Sequence, residues 1–120
     1  MAVWEVVQMT IPADRHDEFE SVLRANLSLF KDAKGCQDVT LQRVVDKEDM
    51  LVLQVVWETL AHHTEIFVNS AAFTRFTGLV RPFFAAPPVI YHATTVIDGL
   101  WTSDAGVADS GGSGSGEAAQ

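Results

Sequence analysis

The chain has few basic residues, one cysteine and no long apolar run. Eight Lys and Arg stand against sixteen Asp and Glu, a formal net charge of −8. The basic residues are scattered, so no basic stripe predicts nucleic-acid binding. Because Cys36 is the single cysteine, no internal disulfide can form, and one thiol does not make a zinc site. No apolar run reaches the roughly 18 residues that span a bilayer.

The N-terminus, MAVWEVVQMT, has neither a basic start nor a small-residue cleavage site, so it does not read as a secretion signal. We therefore expect a cytoplasmic protein that does not bind membranes. Residues 1–102 have the composition of one folded domain. Residues 103–120 are rich in Gly, Ser and acidic residues, a composition that predicts a flexible tail. Trp101 lies just before this tail and could anchor it.

The hydrophobic patterns predict six elements in the order β-α-β-β-α-β. The order is that of a ferredoxin-like α+β fold, with a four-stranded antiparallel sheet and its helices on one face. The third strand is apolar on both faces, which predicts that a homodimer covers the face without helices. The predicted strands are 3–10, 38–45, 50–57 and 89–97; the first helix follows an N-cap at Asp14 and ends at Gly35, and later helices are capped by Thr59 and Ser70.

Two stretches resemble the antibiotic biosynthesis monooxygenase family. They are GCQDVTLQRVVDKEDMLVLQVVWETLAHH and SAAFTRFTGLVRPFFAAPPVIY, and the resemblance covers roughly residues 3–97. The resemblance implies a small dimeric α+β barrel. Some members oxidise anthrones, related phenols or quinols with O₂ and no cofactor, while others degrade haem or isomerise small metabolites. The matching motifs are Gly35-Cys36, Trp57-Glu58, Ser70 with Phe73, and Pro87-Pro88.

The same resemblance bears on individual positions. Many members have a histidine three residues before the serine, where this chain has Phe67. The haem-degrading branch has an Asn on strand one and a His on the last helix; this chain offers Gln8 and only arginines there, which disfavours haem. The anthrone-oxygenating branch has a tyrosine six residues after the strand-end Trp, where this chain has His63.

Trp57 and the two adjacent histidines are the first candidates for a site. Trp57 is predicted either to stack on an aromatic substrate or to be a packing residue. His62 and His63 point about 100° apart on a helix. His63 shares a face with Leu60 and Phe67 and is therefore the expected general base, whereas His62 lies nearer solvent. The alternative for His63 is a hydrogen-bonded histidine at a helix start.

Other polar residues are candidates for contacts with a substrate. Arg81 or Arg75 could bind a carboxylate or enolate oxygen, or lie on a solvated helix face. Asn69 and Gln54 could orient a substrate oxygen. Tyr91 and His92 point to opposite faces of the fourth strand, so one of them is expected to face the cavity, with a polar dimer contact as the alternative for His92.

These features favour a cofactor-independent monooxygenase that oxidises a phenolic, anthrone-like or quinol-like aromatic substrate with O₂. His63 would be the base and Trp57 the stacking wall, and an Arg such as Arg81, a Tyr or an Asn would be the oxyanion partner. No glycine-rich phosphate loop, serine-nucleophile motif or metal-ligand spacing is present, so we expect neither cofactor nor metal. A non-catalytic ligand-binding dimer, which Phe67 favours, and a cyclase or isomerase remain alternatives.

Overall fold

The computed structural model describes residues 2–99. A four-stranded antiparallel sheet carries the helices on one face. Its strands lie in the order β2-β3-β1-β4, and the predicted α+β ferredoxin-like fold is confirmed. The strands are β1 (Val3–Thr10), β2 (Cys36–Arg43), β3 (Met50–Trp57) and β4 (Val89–Ala93). The helices are α1 (His16–Ala25), α2 (Ser28–Lys31), a π-helix (His62–Phe67) and α3 (Ala71–Val80). Two 3₁₀ turns lie at Ala13–Arg15 and Arg81–Phe83.

The central strands β1 and β3 form the floor of the core. They pair along their whole length, from Val3 opposite Trp57 to Thr10 opposite Met50. Side chains alternate between the two faces of a strand. Those on the face that the helices cover are buried. On β3 this buried face consists of Leu51, Leu53, Val55 and Trp57. The other face of β3 is only half-buried.

The predicted bounds of β1 and β3 are confirmed, and those of the other elements need correction. β2 begins and ends two residues earlier than predicted, at Cys36 and Arg43. β4 ends at Ala93 rather than at residue 97. Ala93 pairs with Trp4, and because β1 begins only one residue earlier, the chain beyond Ala93 runs out of backbone partners.

The helical segments also differ in detail. The first predicted helix is interrupted after Ala25, and α2 follows from Ser28. Asp14 lies within a 3₁₀ turn and does not cap α1. Ser70 does cap α3, since its Oγ accepts the Phe73 N–H at 3.2 Å.

A π-helix stands where an α-helix was predicted after Thr59. The N–H of Val68 donates to the carbonyl of His63, five residues earlier, at 3.0 Å. His63 and Phe67 are both buried, whereas Leu60, predicted to share their face, is 47% exposed. Single π turns occur often at functional sites.

The face of the sheet away from the helices is the surface that a second copy would cover. Trp4, Gln8, Val52 and Val56 lie half-buried on it. The homodimer stays a prediction. Trp101 and the tail at 103–120 lie outside the described residues. Among residues 2–99, no helix is both long and apolar enough to cross a membrane.

Gly35 is the position where the backbone most needs a glycine. Its φ of 83° lies in the left-handed region, and a Cβ there would collide with the His62 ring. We expect Gly35→Ala to lower the free energy of unfolding by about 2 kcal/mol, because strain and the clash add.

The matched control is Gly78→Ala on α3, where an added Cβ meets nothing within 4 Å. Because alanine favours helix over glycine, this variant should be unchanged or more stable, by up to about 1 kcal/mol. Urea unfolding of both variants measures the difference. Equal stability of the two alanine variants would contradict the role given to Gly35.

Candidate active site

Glu5 is a buried carboxylate in the middle of β1. It points to the helix-covered face, with Val3 and Val7 on either side, and is only 7% exposed. The indole N–H of Trp57 donates to its Oε1 at 2.9 Å. The Nε2 of His63 lies 3.3 Å from its Oε2. A buried carboxylate is costly without such partners, so these two contacts hold Glu5 in place.

The environment of Glu5 favours its protonated form. Burial raises the pKa of Glu5 above its ordinary value, and the hydrogen bond from Trp57 opposes this rise only in part. A carboxylate with a raised pKa is a stronger base than a solvated one. Glu5 therefore has the chemistry of a general base or acid.

His63 lies between Glu5 and β4. Its ring stacks on Trp57 at a centroid distance of 5.6 Å and an interplanar angle of 21°. Its Nδ1 is 2.8 Å from Nε2 of His92. Burial, with a smaller contribution from charge on His92, lowers the pKa of His63 to about 4. The ring is therefore neutral at physiological pH, and its 3.3 Å approach to Glu5 is a polar contact rather than an ion pair.

A cavity of about 570 Å³ opens beside Glu5. It lies between the β1–β4 side of the sheet, helix α3 and the segment that leads into β4. Its polar side chains are Glu5, Thr77 and Arg81, and the rest of the lining is apolar: Val7, Phe73, Phe76, Val80, Phe84, Ala85, Ala86, Pro87, Pro88 and Ile90. An apolar cavity of this size with a few polar groups suits a small aromatic molecule.

The predicted catalytic residues take different places around this cavity. Arg81 lines it. His63 reaches it only through Glu5. Trp57 is completely buried and does not line the cavity, so the expected stacking wall is instead a buried hydrogen-bond donor. Phe67 is buried too and packs against Trp57 with ring centroids 5.1 Å apart; it belongs to the core and not to the cavity wall.

The other candidates separate into two groups. His92 lies on the helix side of β4, opposite Glu5 in the strand register. Gln54 and Tyr91 project from the opposite face, each paired with Val6 of β1. The structure therefore selects His92 over Tyr91 as the neighbour of His63.

Three further candidates lie outside the cavity lining. The Nδ1 of His62 is 2.8 Å from the hydroxyl oxygen of Thr59. The side-chain amide of Asn69 donates to the Glu65 carbonyl at 2.8 Å. Arg75 is exposed on α3. Between residues 2 and 99, no group of three or more His, Cys, Asp or Glu side chains is arranged to hold a metal ion.

Glu5 was not among the residues selected from the sequence. A signal for it exists in the alternation of β1, where Val3, Glu5, Val7 and Met9 share one face. An acid among buried apolar residues is rare unless it is paired. The sequence pattern alone therefore marks Glu5 as a buried polar group, although not its partners.

Sequence and structural similarity place the chain in one protein family. The sequence model described as antibiotic biosynthesis monooxygenase matches residues 2–78. A structure described as an antibiotic biosynthesis monooxygenase from Bordetella bronchiseptica is similar, with 31% identity and a TM-score of 0.76, over 80% of this chain and 98% of that one. The chain belongs to the antibiotic biosynthesis monooxygenase family.

Two further relatives show the range of similarity. The uncharacterized protein YczJ of Bacillus subtilis is 28% identical over 90 residues, which are 75% of this chain and 95% of that protein. A mutant of SnoaB from Streptomyces nogalater, a cofactor-independent oxygenase, has a TM-score of 0.65 at 23% identity, over 80% of this chain and 94% of that one. The likeness to SnoaB shows the shared fold.

The lowered pKa of His63 predicts a pH dependence of stability. Its folded-state pKa of about 4 is below the ordinary 6.5, so the unfolded chain binds a proton first as the pH falls. The contribution of His63 is complete above the ordinary value and is lost as the pH falls toward 4. Between about pH 7 and about pH 4.5 this loss should be about 2 kcal/mol.

Glu5 acts in the opposite direction, because a raised pKa favours the folded state at low pH. The comparison is therefore made between the wild type and His63→Gln, both of which keep Glu5. Urea unfolding at the two pH values should show a smaller loss of stability on acidification in His63→Gln. An equal loss in both proteins would contradict the buried neutral imidazole.

Proposed function

We propose that this protein is a cofactor-independent monooxygenase that oxidises a small phenolic, anthrone-like or quinol-like aromatic substrate with O₂ to a quinone. The observation that carries the proposal is the position of Glu5. A carboxylate with a raised pKa lies in the wall of an otherwise largely apolar cavity. Such a site can remove a proton from an electron-rich aromatic and keep water from the resulting anion.

The chemistry needs little beyond this base. Glu5 takes a proton from the activated carbon of the substrate, and the carbanion gives one electron to O₂. The two radicals combine to form a C–O bond, and the peroxide takes the proton back from Glu5. Loss of the second proton from the same carbon, with cleavage of the O–O bond, yields a carbonyl group and water.

The role proposed for His63 changes with the structure. Both of its ring nitrogens face other side chains, Glu5 on one side and His92 on the other. We therefore assign contact with the substrate to Glu5, and assign to His63 the orientation and proton supply of Glu5. Many family members have a histidine at the position of Phe67. In this chain His63, one turn earlier, supplies an imidazole to the same region.

Similarity to known proteins supports the same class of reaction. The family is named for monooxygenases, and SnoaB, which shares this fold, is a cofactor-independent oxygenase. The likeness to SnoaB extends to the fold and not to its substrate. The choice of an electron-rich aromatic substrate comes from the resemblance to this family, and the apolar lining of the cavity and the base beside it are compatible with that choice.

Removal of the Glu5 charge tests the proposal. With anthrone or a naphthoquinol as probe, the wild type should consume O₂ and form the quinone. Glu5→Gln keeps the shape of the side chain but removes the base, and should lower turnover by about a hundredfold or more. An oxygen electrode and the quinone absorbance measure this, with binding of the probe retained.

The matched control is Glu58→Gln, which changes an exposed acid just after β3 and should leave turnover unchanged. Undiminished O₂ consumption by Glu5→Gln would remove Glu5 from the mechanism. Conversion of a probe without O₂ would favour a cyclase or isomerase. Binding of the probes without conversion would favour a ligand-binding protein.

Arg81 is proposed to bind a negatively charged oxygen of the substrate. It lines the cavity, and in the described part of the chain its guanidinium group forms no salt bridge. Arg81→Gln should weaken the binding of hydroxynaphthoate by about tenfold, as expected for one lost charge-assisted contact. Naphthol, which lacks the carboxylate, should bind almost as before.

Arg75 provides the control for this measurement, because it is exposed on α3 and does not line the cavity. Arg75→Gln should bind both probes like the wild type in fluorescence or calorimetric titrations. If the two arginine variants weaken hydroxynaphthoate equally, the effect comes from general charge, and Arg81 has no specific contact.

A further inference from the structure

Three titratable side chains form a line from the cavity to the edge of the sheet. Glu5 Oε2 lies 3.3 Å from His63 Nε2, and His63 Nδ1 lies 2.8 Å from His92 Nε2. Glu5 and His92 are opposite each other in the β1–β4 register, and His63 bridges them from the π-helix. The two imidazoles are hydrogen-bonded to each other, and Glu5 and His63 lie at 3.3 Å, where a small rotation of either side chain would align a hydrogen bond.

The two ends of this line meet different surroundings. Glu5 and His63 are each only 7% exposed, whereas His92 lies exposed on the edge strand β4. The free side of Glu5 faces the cavity. A ligand that fills the cavity therefore closes the direct path between Glu5 and water, and the path through the imidazoles remains.

We propose that Glu5, His63 and His92 form a proton relay that connects the cavity wall with solvent, with His92 as its outer end. The inference rests on the proposed role of Glu5 as the residue that exchanges a proton with the substrate. Its physical consequence is that Glu5 can change its protonation state while a substrate covers it.

The transfer can be written with all protons accounted for. In the uptake direction, an acid in solution protonates Nδ1 of His92, and the proton on its Nε2 moves to Nδ1 of His63. The proton on Nε2 of His63 then moves to Oε2 of Glu5. The net change is one proton from solvent onto the carboxylate, with both rings left neutral in their other tautomers. The reverse sequence returns a proton from Oε2 to solvent.

Few other groups near the relay can exchange a proton with Glu5. Trp57, which packs on the relay from β3, donates a hydrogen bond and does not titrate. Burial raises the pKa of the Cys36 thiol, to which the charge of Glu5 contributes only a minor part. Arg81 faces the relay from the cavity side. A proton that leaves Glu5 through the protein therefore has His63 as its partner.

The first test follows the imidazole protons directly and needs no substrate. In the full chain with ¹⁵N-labelled histidine, NMR measures exchange of the His63 ring proton with water. This exchange should slow severalfold in His92→Ala. Added imidazole should restore it, whereas pyrazole, which has a similar size but is a far weaker base, should not.

Two further variants separate proton transfer from structure. His92→Gln keeps a polar side chain that does not titrate, and should show slow exchange with an unchanged melting temperature. His62→Ala changes the neighbouring histidine, which contacts Thr59 instead of Glu5, and should exchange like the wild type at His63. Wild-type exchange in His92→Ala, or equal rescue by pyrazole, would overturn the relay.

A kinetic measurement connects the relay with turnover. At saturating anthrone, His92→Ala should lower kcat by about tenfold with KM unchanged, and imidazole in the buffer should restore it. Unchanged kcat would overturn the catalytic use of the relay. If the wild type consumes no O₂ but the NMR results hold, the proposed oxygenase function fails while the relay stands.

Discussion

The buried carboxylate of Glu5 is the constraint on which the site depends. A carboxylate taken out of water is costly unless hydrogen bonds replace the lost hydration. Trp57 supplies such a hydrogen bond from β3, and His63 adds a polar contact from the π-helix. The same low-dielectric surroundings raise the pKa of Glu5 and lower that of His63, since both charged forms are disfavoured there. The order of the two pKa values is therefore reversed, and a proton shared between the groups rests on the carboxylate of Glu5.

The position of His63 depends in turn on the backbone that follows β3. His63 and Phe67, four residues apart in the π-helix, both lie on the buried side, where one stacks over Trp57 and the other packs against it. Gly35 makes this approach possible, because any Cβ at this position would meet the ring of His62. Gly35, which has no side chain, therefore leaves room for the π-helix that carries His63. Phe67 helps to hold the same helix in place by packing against Trp57.

The fold was largely predictable because its signals are local. The alternation of β1 and β3 gave their bounds correctly, and the order of the elements gave the ferredoxin-like arrangement. The bounds of β4 were not predictable in this way. Its sequence continues to favour a strand beyond Ala93, but the number of residues that can pair is set by where β1 begins. The π-helix was not predicted either, since its i, i+5 hydrogen bonds leave the spacing of His63 and Phe67 on one face almost unchanged.

For the site, the sequence by itself determined the buried faces of the central strands β1 and β3. It separated His63 from His62, and it placed Trp57 at the end of a buried strand. Only the tertiary structure showed that Trp57 donates to Glu5 across a separation of 52 residues, and that His92 completes the line 29 residues beyond His63. Periodicity tells on which face a side chain lies, but not which distant group meets it there. Strand register and helix packing decide which groups meet. They place Trp57, expected to stack on a substrate, as the hydrogen-bond donor to the buried base Glu5.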